Sequence, residues 1–126
     1  MPRIIAGYLK GTKLQTPTGS KTRPTTDRAK EALFSILGHR VQGATILDLF
    51  AGSGQIALEA LSRGATAAVV CENDPTALKV LFANIEKTRT AAEIRVFTYD
   101  ARRLVVRLCR AKEQFDLIYL DPPWKN

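Results

Sequence analysis

"ATILDLFAGSGQIALEALSRG", Ala44 to Gly64, runs from an apolar stretch through a glycine turn into a second apolar stretch of helical period. "ATILDLF" predicts a buried strand, Gly52 and Gly54 a tight strand-to-helix turn, and "QIALEALSR" a helix closed by Gly64. Towards the C-terminus the alternation continues. "AAVVC" predicts a second strand, and "PTALKVLFANIEK" a helix with Asp74 as N-cap and Pro75 at its first position. "EIRVFT" predicts a third strand, "ARRLVVRLCRA" a third helix and "FDLIYL" a fourth strand. Near-continuous apolar strands alternating with helices specify a parallel sheet covered on both faces and joined by right-handed crossovers. The expected fold class is therefore α/β, a doubly wound, mostly parallel sheet with four strands.

Towards the N-terminus the pattern differs. "RIIAGYLK" and "KLQT" predict two short strands of a β-hairpin around Lys10-Gly11, and "PTGSKTRP" predicts a turn-rich connection. Ala29, Ala32, Leu33, Ile36 and Leu37 then mark one face of an amphipathic helix, capped by Thr26 or Asp27 and ended by Gly38. The expected organisation is a basic hairpin-and-helix extension over residues 1–38 and an α/β core over 39–126. A chain of 126 residues, 45% hydrophobic, is long enough for one ordinary domain with a real core.

The net charge is +7, and residues 1–30 hold Arg3, Lys10, Lys13, Lys21, Arg23, Arg28 and Lys30 against Asp27 alone. Positive charge gathered in one arm is the footprint of a phosphate backbone, with a merely solvated face as the alternative. No apolar run approaches the ~18 residues that a membrane span requires, and the N-terminus lacks a signal-peptide pattern; a cytoplasmic protein with no membrane partner is expected. Cys71 and Cys109 lack metal-ligand spacing and the chain has one histidine, His39, so reduced core thiols are expected and a zinc site is not.

Ligands of doubly wound sheets sit beyond the carboxyl ends of the strands. Four loops lie there. Gly52, Ser53 and Gly54 with Ala57 fit G-x-G-x-x-A, which on its own is satisfied equally by a turn needed only for packing. Glu72 ends the second strand where an acid can accept both hydroxyls of a ribose. Together these loops indicate an adenosine-bearing cofactor, a dinucleotide or S-adenosyl-L-methionine. Asp48, just before the glycines, would repel a pyrophosphate and attract an ammonium. Asp100 and Ala101 are placed to meet an adenine, although Asp100 is also the natural N-cap of the third helix. In "IYLDPPW", Asp121 and the carbonyl of Pro122 can each accept one N–H of an exocyclic amine. Pro123 stiffens that pair, and Trp124 offers a ring for a flipped base.

This arrangement resembles class I S-adenosylmethionine-dependent methyltransferases that modify an amino group of a nucleobase, with "DPPW" as the catalytic motif. "RIIAGYLKGTKLQTP", "TRPTTDRAKEALFSIL", "ILDLFAGSGQIALEALSRGA" and "FDLIYLDPPW" further resemble the bacterial RsmD family, the 16S ribosomal RNA guanine-N2 methyltransferases. The resemblance runs along essentially the whole chain. It implies a Rossmann-like class I methyltransferase fold, S-adenosyl-L-methionine as cofactor, no metal, and 16S ribosomal RNA in a 30S particle or assembly intermediate as partner. It implies that Asp48, Gly52, Ser53, Gly54, Glu72, Asp100 and Ala101 line the cofactor pocket, and that Asp121, Pro122, Pro123 and Trp124 hold the guanine. Arg23, Thr25 and Asp27 correspond to the segment that the family brings over its site. The family usually has Tyr where this chain has Trp124, so a role for the phenol hydroxyl does not carry over.

Family members continue beyond this motif, so the resemblance implies a chain lacking the later strands, with its fourth strand left as an apolar edge open to self-association. Two other functions fit parts of the sequence. An oxidoreductase binding an NAD-type dinucleotide would use the same first two loops, and a non-catalytic RNA-binding module would use the arm.

Overall fold

Ile46 and Leu47 set the architecture, because neighbouring residues of a strand face opposite sides of a sheet. They lie in β1 (Thr45–Asp48), at the centre of a four-stranded parallel sheet with β2 (Ala67–Cys71), β3 (Ile94–Phe97) and β4 (Leu117–Tyr119). The strand order is β3-β2-β1-β4, so the chain moves outward from β1 and then returns to β1's other side. In register, Asp48 stands beside Val70 of β2 and Tyr119 of β4. The computed structural model describes residues 2–17 and 26–122.

One face of the sheet packs Ile46, Ala68 and Val70 against α1 (Asp27–Leu37), α2 (Gln55–Ser62) and α3 (Pro75–Thr88), through Phe34, Leu58, Leu61, Leu81 and Ile85. Ile4 and Leu14 of the N-terminal segment belong to this same cluster. On the other face, Leu47, Val69 and Cys71 meet Leu104 and Leu108 of α4 (Ala101–Arg110). These are the helices and strands that the periodicity predicts, and their caps are the expected ones. Thr26 accepts from the Ala29 N–H, Asp74 from the Ala77 N–H and Asp100 from the Arg102 N–H.

Three expectations are corrected. The hairpin strands shrink to a single antiparallel bridge, Arg3 to Lys13, with turns between. The reason is competition for backbone donors: the N–H groups of Ile5 and Ala6 go to the Glu59 carboxylate at 2.9–3.2 Å, and those of Tyr8 and Leu9 go to Ser62. Gly7 sits so close to Ser62 there that a Cβ would lie 1.9 Å from the Ser62 carbonyl oxygen. Second, the buried face of α1 is rotated. Lys30 and Phe34 are buried, Leu33 and Leu37 are half-buried, and Ala29, Ala32 and Ile36 are exposed. A lysine reads as a surface residue in any hydrophobic pattern, but this one lies 3.5 Å from the buried Glu59. Third, Cys71 is a core thiol donating to the Tyr99 carbonyl, whereas Cys109 is exposed on α4. Among the described residues no helix is long and apolar enough to cross a membrane, and no group of three or more His, Cys, Asp or Glu could hold a metal.

Candidate active site at the carboxyl edge of the sheet

The turn after β1 is held by its neighbours rather than by its own sequence. The Ala51 N–H donates to the Cys71 carbonyl at the end of β2, and the Gly54 N–H back to Ala51. Gly52 and Gly54 both adopt the left-handed conformation, with φ +57° and +89°, which a residue with a Cβ adopts only at a cost. Their surroundings separate their roles. A Cβ on Gly54 would sit 2.6 Å from Leu81 Cδ1, so that glycine lets α2 pack against α3; a Cβ on Gly52 would meet nothing within 4 Å, so that position faces open space.

Glu72 joins this turn to β2. Its Oε1 accepts from the Gly52 N–H at 2.8 Å and its Oε2 from the Asp74 N–H at 3.0 Å. Both oxygens keep a second lone pair, so the carboxylate is fixed in position and still able to accept two hydroxyls. Ser53 is buried, and its carbonyl accepts from Asn84 Nδ2 at 2.9 Å. Asn84 in turn exchanges two hydrogen bonds with the backbone of Gln15, at 2.9 and 3.0 Å. One buried amide thus connects the N-terminal segment to the glycine turn.

Asp48 is 1% exposed and takes one hydrogen bond, from the Phe50 N–H at 3.1 Å. Burial pushes its pKa up to about 7 against the pull of that bond, and the nearby Glu72 and Asp121 add to the rise. Burial also raises the Tyr119 hydroxyl, helped by Asp121 and Asp48. The carboxyl ends of β2, β1 and β4 therefore bring Glu72 and Asp121 within electrostatic reach of Asp48 beside an open glycine turn, which suits a cationic ligand. Asp121 and Pro122 are exposed at the end of β4. Asp100 caps α4, and its carboxyl pKa is lowered chiefly by the Arg102 N–H it accepts; Ala101 is half-buried behind it.

Of the basic residues expected to meet RNA, Arg3, Lys10, Lys13 and Arg28 are exposed, and Arg3 lies 3.9 Å from Asp27. Lys21, Arg23, Thr25, Pro123 and Trp124 lie outside the described residues. Sequence reading assigned no role to Glu59, Asn84 and Tyr119, and Lys30, counted there among the cations of the arm, is buried against Glu59. The only signal for Glu59 and Asn84 was a single polar residue inside an apolar helical run, "IALEAL" and "LFANI".

A family model described as Conserved hypothetical protein 95 matches residues 2–126. A Bacillus subtilis protein is 37% identical over 98% of this chain, which covers 67% of that relative. The Ribosomal RNA small subunit methyltransferase D of Escherichia coli is 38% identical over 98% of this chain, and 61% of its own length is covered. The chain thus spans about two thirds or less of these relatives. The solved structure of a hypothetical protein from Thermus thermophilus superposes with a TM-score of 0.87 at 32% identity, over 98% of this chain and 70% of that one.

Proposed function

Since the chain belongs to the Conserved hypothetical protein 95 family, the RsmD family of the sequence reading, we propose that it binds S-adenosyl-L-methionine and methylates the exocyclic N2 amine of a guanine in 16S ribosomal RNA. The observation that carries the reading is the juxtaposition of Asp48, Glu72 and Asp121 beside the open turn at Gly52. A dinucleotide would bring a pyrophosphate against these acids, whereas a sulfonium and an ammonium are attracted to them. The name of the Escherichia coli relative supplies the substrate class.

The residues fit the cofactor in three places. Gly52 leaves room where a side chain would project. Glu72 is preset by two backbone donors to receive a ribose. Asp48 is a buried acid with no hydrogen-bonding cation among the described residues. When bound, S-adenosyl-L-methionine supplies a methyl group on a sulfonium already activated by its charge.

The chain's own task is then position and polarity. The Asp121 carboxylate and the Pro122 carbonyl accept the two N–H groups of the guanine amine, which aims its lone pair across the edge of the sheet. The amine becomes acidic only as its new bond forms, so its proton passes to Asp121 or to water without a strong base. Tyr119, whose hydroxyl pKa is raised by burial with Asp121 and Asp48 adding to the rise, stands beside Asp48 in register. Trp124 provides the stacking face for the base, and the arm around Lys10, Lys13, Lys21, Arg23 and Arg28 holds the phosphate backbone.

Asp121→Ala is expected to lower methyl transfer to 30S particles by about 100-fold or more, while S-adenosylhomocysteine still binds as measured by calorimetry. Methylation at the parental rate by that variant would overturn the mechanism.

A further inference from the structure

The arginine face of α4 lies on the side of the sheet away from the N-terminal arm, and the arm's proposed role leaves it unexplained. In ten residues α4 carries Arg102, Arg103, Arg107 and Arg110 with no acid, while Leu104 and Leu108 alone are buried. Arg102 is neutralised by Asp100, at 3.5 Å. Arg103, Arg107 and Arg110 are exposed and have no carboxylate within 4.0 Å among the described residues. Together with Val106 they line a shallow groove.

Two of these guanidinium groups lie over aromatic rings rather than free in solvent. Arg103 stacks 5.0 Å over the Tyr99 ring and Arg107 5.2 Å over the Phe97 ring, where Arg95 also stacks at 5.3 Å. Arg107 also donates to the Tyr99 hydroxyl at 3.4 Å. A stacked guanidinium loses little further freedom when its edge N–H groups bind phosphate. Arg95 at the same ring is paired with Glu113 at 2.9 Å, so Arg107 is the guanidinium there without a carboxylate among the described residues. Arg103 to Arg110 extends along about 10 Å of helix, too far for a single phosphate and suited to a linear polyanion.

The position of α4 identifies the polyanion. Its first turn, at Asp100 and Ala101, stands at the same carboxyl edge as Asp121, whereas Ile4 and Leu14 anchor the arm to the opposite face. A strand presenting a base at that edge has phosphates on both sides of it. We propose that Arg103, Arg107 and Arg110 form a second RNA-backbone contact, on the face of the sheet opposite the arm, so that the substrate strand is gripped on both sides of the edge. This inference rests on the RNA-modifying reading above.

The test is fluorescence anisotropy with a labelled stem-loop RNA of mixed sequence over a salt series. The variants are the triple Arg103→Gln, Arg107→Gln, Arg110→Gln, the arm pair Lys10→Gln, Lys13→Gln, and Lys79→Gln as an exposed control on α3. The triple variant is expected to stay folded with a melting temperature lowered by a few degrees at most, to bind roughly ten-fold or more weakly, and to lose about 2 from the slope of log affinity against log salt. Arg103→Lys, which keeps the charge but not the stack, is expected to fall in between. If the triple variant matches the Lys79 control while the arm pair weakens binding, the α4 contact is overturned and the functional reading stands. If the triple variant weakens binding and the arm pair does not, the α4 contact stands and the arm's role fails. Absence of RNA binding by the parental chain overturns both. Displacement of the RNA by polyglutamate as readily as by unlabelled RNA overturns the assignment to RNA.

Discussion

Asp48 is a buried acid whose protonation is set by what stands beside it. Its folded pKa of about 7 lies above the ordinary value of 3.8, so the folded chain holds a proton that the unfolded chain gives up between those limits. The stability from this group is fully present below the ordinary value and is lost as pH rises through about 7, with a slope of at most about 1.4 kcal/mol per pH unit. Urea denaturation of the ligand-free chain between about pH 5 and pH 8 is expected to show this fall, and Asp48→Asn to flatten it. A cationic cofactor reverses the preference. S-adenosylmethionine binding should tighten as pH rises towards 7 and release a proton, measurable by calorimetry in buffers of differing ionisation heat. A pH-independent affinity without proton release would remove Asp48 from the site. Asp48 and Glu72 were legible in the sequence because they flank a glycine turn at fixed spacing. Lys30, Glu59 and Asn84 were not, because their partners are distant: Glu59 accepts from Ile5, 54 positions away, and Asn84 pairs with Gln15, 69 away.

At the scale of elements, Glu59 fastens three segments together. Its carboxylate takes the N–H groups of Ile5 and Ala6, the Arg63 guanidinium at 2.8 Å and the Lys30 ammonium, which itself donates to the Arg3 carbonyl at 2.7 Å. Burial lowers the Lys30 pKa, with Glu59 and Asp27 opposing it, so the ammonium is tolerated there only through its partners. Glu59→Ala strands a buried lysine and two backbone donors, and is expected to lower stability by about 3–5 kcal/mol in urea denaturation. The double variant Glu59→Ala, Lys30→Met should recover part of that loss, because no buried unpaired ammonium remains, while Arg63 and the two backbone donors still lack the carboxylate. A double variant whose loss equals the sum of the separate Glu59→Ala and Lys30→Met losses would show that the pair does not interact. The same geometry explains why helices and parallel strands were legible while the hairpin was not. Periodicity reports burial along one element; it is silent about a side chain on α2 that takes the donors a β-ladder needs. The rotated face of α1 has the same origin, since Lys30 counts as polar in any pattern and is buried by Glu59.

For the whole molecule, apolar runs alternating with helices were enough to read a parallel sheet covered on both faces, and the order of that sheet, with β4 beside β1, brings Asp121 within electrostatic reach of Asp48. The outer edge of β4 has further consequences. Among the described residues no strand pairs with it, and Ile118 and Leu120 are 64% and 61% exposed. An apolar edge with free N–H and C=O groups is a template for another strand, and burying one such side chain contributes about 1.5–3 kcal/mol. The 126-residue chain is therefore expected to self-associate through β4, with a mass that rises with concentration in sedimentation equilibrium. Ile118→Lys places a charge on that edge and is expected to shift the chain towards monomer without lowering its melting temperature, since the replaced side chain is mostly in solvent. The substitution also separates the edge from the pocket. Glu72, Gly52 and Asp48 lie on the β1 and β2 side of it, so S-adenosylhomocysteine affinity should be unchanged in the charged variant. A parental chain that stays monomeric at every concentration would show that the edge is not sticky. A loss of cofactor affinity in Ile118→Lys would show that β4 shapes the pocket more directly than its register with β1 implies.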